Sequence, residues 1–395
     1  MGRNSNWREG LSPERELVLC CALVNLDEET AGRVRDILLG PLNWPKLLAI
    51  AFDHHLETFV YENLMLVGDG HVPATQLDNL HESARKTAAL AILLSSELLR
   101  IHEIFERKGV PLIPYKGPVL SCLAFGSPTR RRFDDLDFFV PQEDIAGATA
   151  LLESAGFAPK FEIVDVLTGS STNVPGQYAF FREVTRTHVE LHTERTLRYF
   201  PIPLNFNKMG RRLITVDLCG RTLRTFSIED TLVMLCVHGA KHLWDRLLWI
   251  IDIAQLISVQ EVDWTLLSQI AAKLESTRVL LLGLYLAHDL FDAPLPEKIL
   301  AEIGRDHAVR ELAEKVYGQY ANISAAGTGA LPRAIFRIQS RDGIGKGLRH
   351  TWSLAISPTE SDREKVRLPG WLAPLYMLVR PWRLLKQYGS GLKRK

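Results

Sequence analysis

Two aspartates one residue apart, Asp135 and Asp137, stand in the segment 134–140, which reads Asp-Asp-Leu-Asp-Phe-Phe-Val. If this segment is a strand, both carboxylates point to one face while Leu136 and Phe138 point to the other. Paired carboxylates repel each other unless a cation lies between them, and hard oxygen ligands favour Mg²⁺ or Mn²⁺ over zinc. The pattern therefore predicts half of a two-metal phosphoryl-transfer site. The alternative is a solvated surface turn.

A third acidic residue stands in another strand-like segment, 186–192, which reads Arg-Thr-His-Val-Glu-Leu-His. In a strand His188, Glu190 and His192 share one face, because successive side chains alternate. Glu190 is therefore the candidate for a third carboxylate beside the aspartate pair. Asp134, on the other face of its own segment, is expected to be a turn residue.

Lys116 and Gly117 end a short strand-like run, 110–115, and precede a short helix predicted over 119–125. A glycine at such a position lets the backbone come close to a ligand. The N-terminus of a helix favours negatively charged groups. Together these features predict contact with phosphate.

His238 and His242 lie one turn apart on a predicted helix, and Arg246 follows one turn later. Two histidines with neither a cysteine nor a third ligand nearby make a zinc site a poor explanation. The histidines are expected either to pack between helices through hydrogen bonds or to contact the substrate.

Apolar residues at three- and four-residue spacing predict helices from Pro13 to Gly109 and again beyond residue 227. The longest runs from about Ala74 to Lys108, with Gly109 as its C-terminal cap. Between the two helical regions short strands and helices alternate, which predicts a small mixed sheet. The predicted class is α+β, divided into an N-terminal helical region at 1–109, an α/β core at 110–226, a C-terminal helical domain at 227–326 and a basic, aromatic-containing tail at 327–395. The same patterns predict a continuous helix over 44–64, a strand over 161–166, a hairpin over 213–226 and a linker over 327–332.

The composition is that of an ordinary globular protein, with 46% hydrophobic and 24% charged residues in a chain of 395. The five cysteines show no C-x-x-C pairing and are expected to be small core residues in a reducing compartment. The first residues lack the apolar region of a signal peptide, and no apolar run approaches the roughly 18 to 20 residues that cross a bilayer. We therefore expect a cytoplasmic protein without a transmembrane segment.

The net charge of +1 hides an asymmetry between the tail and the rest of the chain. Residues 331–395 hold 14 Lys or Arg and 4 Asp or Glu, a net charge of +10. Subtraction from the totals of 47 and 46 leaves 33 basic and 42 acidic residues in 1–330, a net charge of −9. The tail is expected either to pack on the acidic body or to meet an anionic partner, such as a membrane surface or a nucleic acid.

The order of these features resembles the nucleotidyltransferases of the DNA polymerase β superfamily and, more closely, the group of uncharacterised nucleotidyltransferases. The motifs that carry the resemblance, over roughly residues 45–385, are Lys116-Gly117, Arg131, Asp135-Leu136-Asp137, Glu190-Leu191-His192 and His238-x3-His242. The chain departs from the superfamily pattern twice. The usual Gly-Ser is Gly117-Pro118 here, and the third acid is Glu190, which reaches farther than an aspartate.

The resemblance implies transfer of a nucleoside monophosphate from an NTP to an unidentified hydroxyl acceptor. Asp135 and Asp137 would bridge two Mg²⁺ (or Mn²⁺) ions, and Glu190 would complete the second metal site and act as base for the hydroxyl. The residues expected to contact the nucleotide are Lys116, Gly117, Arg131, Lys241, His242 and Arg246. For Arg131 a structural ion pair with the aspartates is an equal alternative.

Two other functions fit the same residues. The fold can persist without catalysis, as a module that binds a nucleotide or RNA. It can also belong to a toxin-like transferase that acts on tRNA or on protein. Base preference in such folds depends on cleft residues that follow no portable motif.

Overall fold

The computed structural model describes residues 5–68, 70–159, 176–194, 204–321 and 330–343, together with a few single positions. The predicted strand over 161–166 and most of the predicted tail lie outside the described residues. After a short 3-10 helix, Ser5–Gly10, the N-terminal region contains helices α1 (Pro13–Cys20), α2 (Glu28–Leu38), α3 (Trp44–Asp53), α4 (Glu57–Val67) and α5 (Ala74–Lys108).

The long helix α5 has the predicted bounds, and Gly109 ends it in the left-handed conformation at φ +66°. The single helix predicted over 44–64 is wrong, because the chain breaks between α3 and α4. His55 adopts φ +60° at this break and is buried. A left-handed residue cannot continue a right-handed helix, and the apolar spacing on both sides carries no sign of the interruption.

The core strands are β1 (Ile113–Pro114), β2 (Asp135–Phe139), β3 (Ala158–Pro159), β4 (Gln177–Arg182) and β5 (Thr187–His192). Within the described residues they form a five-stranded sheet in the order β1-β2-β5-β4-β3. The pair β2 and β5 is parallel and the other pairs are antiparallel, so the sheet is mixed, as predicted. Strand β2 carries three fully buried apolar side chains, Leu136, Phe138 and Phe139.

Helix α6 (Gly117–Phe125) lies between β1 and β2 in the chain, and helix α7 (Ile145–Ser154) lies between β2 and β3. Both α5 and α6 pack against β2. The N-terminal helical region therefore supports the strand that carries the aspartate pair.

A short helix, α8 (Phe206–Gly210), precedes the predicted hairpin, which is formed by β6 (Ile214–Leu218) and β7 (Arg221–Thr225). Its two turn residues, Cys219 and Gly220, have φ +53° and +79°, as a two-residue type I′ turn requires.

The C-terminal helices are α9 (Ile228–Lys241), α10 (Leu247–Val259), α11 (Trp264–Lys273), α12 (Thr277–Phe291), α13 (Glu297–Arg305), α14 (His307–Ala321) and α15 (Ala330–Gln339). Helix α9 starts at the predicted cap, since the Ser227 hydroxyl accepts from the Asp230 backbone N–H at 3.2 Å. Helix α15 begins inside the stretch predicted as a linker and packs on α14.

Helical regions that precede and follow a small mixed sheet in the chain make this an α+β protein. None of the helices in the described part of the chain is long and apolar enough to cross a membrane. Although α5 is 35 residues long, it alternates buried and charged positions along its length.

Candidate active site

The parallel pairing of β2 with β5 brings the predicted carboxylates together. The register places Asp137 opposite Glu190 and Asp135 opposite His188. In a parallel pair, residues aligned in this way carry their side chains on the same face. Asp137 and Glu190 thus meet across the two strands, although 53 residues separate them in the chain.

His192 completes a compact group with these two acids. Its Nε2 donates to Asp137 Oδ1 at 2.7 Å and lies 3.4 Å from Glu190 Oε2. Lys116 Nζ donates to the same Asp137 oxygen at 3.1 Å. The side chains of Asp137 and His192 are 4% and 2% exposed, whereas Glu190 is 25% exposed, so the group opens toward solvent on the Glu190 side.

The charges of Asp137, Glu190 and His192 affect one another's pKa values. Burial opposes the ionisation of Asp137, but Lys116 and the hydrogen bond from His192 outweigh it and hold the pKa of Asp137 well below its usual range. Burial also opposes the charge of Glu190, and the hydrogen bond from His192 lowers the pKa of Glu190 in spite of it. For His192 burial works against protonation, yet its two carboxylate partners raise the pKa of the imidazole. The two carboxylates are therefore held as anions.

Asp135 lies next to the group rather than in it. Burial and repulsion from Asp137 raise the pKa of Asp135 to about 7, with Lys116 acting in the opposite direction. Asp134 is exposed, as expected for a turn residue, and it contacts Arg132 at 3.4 Å.

Gly117 brings the start of α6 against the aspartate strand. Its φ is +55°, and a Cβ at this position would stand 3.4 Å from the backbone oxygen of Asp135. A side chain there would be strained in the left-handed region and crowded against β2. Lys116, which caps α6, thus reaches Asp137 while the next residue, Gly117, packs on the backbone of β2.

Arg131 is held by a residue that the sequence did not indicate. Its Nε and Nη2 donate to the two carboxylate oxygens of Asp252 on α10, at 2.6 and 2.7 Å, and both side chains are buried. The ion pair predicted as the alternative to a phosphate contact therefore exists, but its partner is Asp252 instead of Asp135 or Asp137. Burial raises the pKa of Asp252, and the charge and hydrogen bonds of Arg131 oppose this rise.

The end of α9 meets the open side of the group. Lys241 Nζ donates to Gln177 Oε1 at 3.4 Å, and Gln177 Nε2 donates to Glu190 Oε2. Burial lowers the pKa of Lys241, and the nearby Lys116 lowers it further. Lys241 and Glu190 are thus joined through one amide side chain.

His238 and His242 pack against an aromatic residue of α10. Their rings lie 4.8 Å apart, and each lies about as close to Trp249, at 4.8 and 5.1 Å. Burial lowers the pKa of His238 well below its usual value and that of His242 to about 4. Arg246 lies 5.5 Å over the Trp249 ring. The structure thus places these histidines and Arg246 around Trp249, and the histidines are uncharged at neutral pH.

A cavity of about 370 Å³ adjoins this aromatic cluster. Of the predicted site residues, only His242 lines it. The remaining lining is mixed aromatic and charged, including Trp7, Arg15, Trp244 and Tyr320. Asp137, Glu190 and His192 do not line this cavity, which borders the end of α9 at His242.

The donor set fits a divalent cation. Asp137, Glu190 and His192 each offer one ligand atom, and these atoms lie within 4.8 Å of one another in the part of the chain that the structure describes. Two of the three, Asp137 and Glu190, are metal ligands that the sequence predicts. The third predicted ligand, Asp135, shares their strand face without belonging to this set.

Three residues that the structure adds to the site, His192, Gln177 and Asp252, differ in how easily the sequence alone could identify them. His192 could have been found, because it shares the strand face of Glu190 two residues away. Gln177 and Asp252 could not, since each meets its partner only through tertiary packing, and neither stands in a motif.

A comparison with protein-family models matches residues 40–292 to the family described as "Uncharacterised nucleotidyltransferase". The match spans more than half of the chain and includes Asp137, Glu190 and His192 as well as α9 and α10. It ends at Asp292, short of the extent expected from the sequence motifs. A search of curated proteins found no match. The chain belongs to the uncharacterised nucleotidyltransferase family.

Proposed function

We propose that this protein is a divalent-metal-dependent nucleotidyltransferase that moves a nucleoside monophosphate from an NTP to a hydroxyl acceptor. The observation that carries the proposal is the register of β2 and β5, which sets Asp137 beside Glu190. Membership of a nucleotidyltransferase family supports the same reaction class. Buried carboxylates held as anions are costly without charged partners, which supports a bound cation at this site.

Asp137 and Glu190 would hold the cation, Mg²⁺ or Mn²⁺, and Asp135 would add a third carboxylate from the same strand face. When bound, the metal would supply an activated acceptor hydroxyl and offset negative charge that develops on the transferring phosphorus. Among Asp137, Glu190 and His192, the side chain of Glu190 is the most exposed, at 25%. Glu190 is therefore the candidate to accept the hydroxyl proton. Gln177 orients the Glu190 carboxylate through its amide.

Lys116 and Gly117 would receive the phosphates of the nucleotide. The ammonium of Lys116 lies 3.1 Å from Asp137, so one cation is already fixed beside the reacting centre. The left-handed Gly117 keeps the backbone of the first α6 turn clear of side chains, and the helix N-terminus favours anions. Lys241 on α9 is joined to Glu190 through Gln177 and would add a second positive charge near the phosphates.

Arg131 has a positioning role in this proposal instead of a phosphate contact, because Asp252 occupies its Nε and Nη2. Arg246 and His242 would act at the periphery of the site, where both pack on the buried ring of Trp249.

The test is transfer of label from each of the four α-³²P-NTPs, with Mg²⁺ or Mn²⁺, to total RNA, to protein or to a small-molecule extract. We expect one acceptor class to take label in a metal-dependent manner. Label in tRNA or protein would identify the toxin-like reaction. Binding of NTP by calorimetry without transfer to any acceptor would reject the enzyme in favour of the silent module.

A further inference from the structure

His192 presents only one edge of its ring to polar groups. Its Nε2 meets Asp137 and Glu190 at 2.7 and 3.4 Å, while its buried Nδ1 has no hydrogen-bond partner. The other face of the ring packs edge-on to Tyr115, with centroids 5.5 Å apart. The imidazole thus makes its polar contacts through Nε2, with the two carboxylates.

These separations match a metal coordination sphere. Two neighbouring ligands of an octahedral ion, each about 2.1 Å from it, lie about 3 Å apart. The separations of 2.7 and 3.4 Å that join His192 Nε2 to the two carboxylates bracket this value. A cation bound there would take the place of the proton on Nε2, because metal ligands bind in their deprotonated form.

We propose that His192 Nε2 is itself a metal ligand, together with Asp137 and Glu190, and that the site prefers Mn²⁺ or Co²⁺ to Mg²⁺. Mg²⁺ takes oxygen ligands and gives up its waters reluctantly, whereas imidazole suits transition metals. The inference rests on the metal site of the proposed function, but it does not require that transfer occurs. It distinguishes this site from one built from the three carboxylates Asp135, Asp137 and Glu190 alone.

The alternative role for His192 is to position the carboxylates by hydrogen bonding. Lys116 already donates to Asp137 Oδ1, so the acid keeps an orienting partner without the histidine. In that case the cation would contact oxygen atoms only, and nitrogen would be absent from its surroundings.

The test is electron spin echo envelope modulation of Mn²⁺ bound to the full chain without nucleotide. We expect modulation from a directly coordinated ¹⁴N, and its replacement by the ¹⁵N pattern in protein labelled at histidine. His192→Asn should abolish this modulation and weaken the affinity for Mn²⁺ about 10- to 100-fold. The effect on the affinity for Mg²⁺, measured by competition, should be smaller.

His188→Gln is the matched control, since His188 stands on the same strand face but opposite Asp135. It should keep both the nitrogen modulation and the Mn²⁺ affinity. Thermal unfolding of each variant shows whether the fold is intact. Mn²⁺ bound without nitrogen modulation in the wild-type protein, or unchanged Mn²⁺ affinity in folded His192→Asn, would overturn the proposal.

The outcome is separable from that of the transfer assay. Nitrogen modulation with no transfer would keep His192 as a ligand and reject the transferase. Metal-dependent transfer without nitrogen modulation would keep the transferase and reject His192 as a ligand.

Discussion

Asp252 holds Arg131 with both carboxylate oxygens, and this pair ties the segment that leads into β2 to helix α10. The side chains are 7% and 0% exposed and the contacts are 2.6 and 2.7 Å long. Removing one partner leaves a buried charge without compensation, which costs about 3–5 kcal/mol. We therefore expect Asp252→Asn to lower the free energy of unfolding in urea by that amount.

The exposed pair of Arg33 and Glu16 provides the control, because an ion pair in solvent contributes only about 0–1 kcal/mol. Glu16→Gln should leave the urea midpoint almost unchanged. An Asp252→Asn protein as stable as the wild type would show that the buried pair does not anchor the strand.

Gly117→Ala tests the close approach of α6 to the aspartate strand. A left-handed non-glycine residue costs about 1–2 kcal/mol, and the added methyl group would stand 3.4 Å from Asp135 O. We expect a loss of stability of this size and weaker binding of NTP, measured by calorimetry.

Gly147→Ala is the matched substitution, since Gly147 lies inside α7 with open space around it. Alanine in a helix interior is favoured over glycine by about 1 kcal/mol, so this variant should be neutral or stabilised and should bind NTP normally. Equal behaviour of the two alanine variants would contradict the role of Gly117.

The turn after α9 depends on a second glycine, Gly239. A Cβ there would stand 2.4 Å from the Trp244 ring, and Leu243 and Trp244 both adopt left-handed φ in this turn. Overpacking of a core costs about 1–3 kcal/mol. Gly239→Ala should lower the unfolding midpoint and alter tryptophan fluorescence. Gly318→Ala should do neither, because a Cβ added there would meet nothing within 4 Å.

His54 should make the folded protein less stable in acid. Its Nδ1 accepts from the Leu247 backbone N–H at 3.2 Å, and burial, helped by Arg15 and Arg246, lowers its pKa from 6.5 to about 4. Between these two values the unfolded chain binds a proton that the folded chain does not. The stabilisation is therefore complete above pH 6.5 and is lost as the pH falls toward 4.

Urea unfolding of the wild type and of His54→Asn between pH 7.5 and 4.5 measures this contribution, which is at most about 1.4 kcal/mol per pH unit. The asparagine keeps an acceptor near Leu247 but does not titrate, so its curve should be flatter. Parallel curves for the two proteins would remove His54 as a source of acid sensitivity.

Local periodicity explains how much of the site could be predicted. The alternation of side chains in a strand puts Asp135 and Asp137 on one face, and it puts Glu190 and His192 on one face of another strand. The register that sets Asp137 beside Glu190 arises only when the two strands pair. The sequence of either strand alone does not determine it.

The partner of Arg131 is the clearest case of what the sequence withholds. Asp252 is 121 positions away, in an apolar helix where a lone carboxylate has no local pattern. The break at His55 was missed for a related reason, since helical apolar spacing continues on both of its sides. Such features arise from tertiary packing, which overrides local preference.

The most direct measurement compares two aspartate variants in the α-³²P-NTP transfer assay. Asp137→Asn keeps the size of the side chain but removes the charge that meets Lys116 and His192, and we expect it to lose about 10²- to 10³-fold or more of the metal-dependent transfer. Asp134→Asn changes an exposed neighbour three residues earlier and should retain full activity. Metal-dependent transfer lost in the first variant and kept in the second is the predicted result. Equal transfer by folded Asp137→Asn and wild-type protein would contradict a catalytic role for the site formed by Asp137, Glu190 and His192.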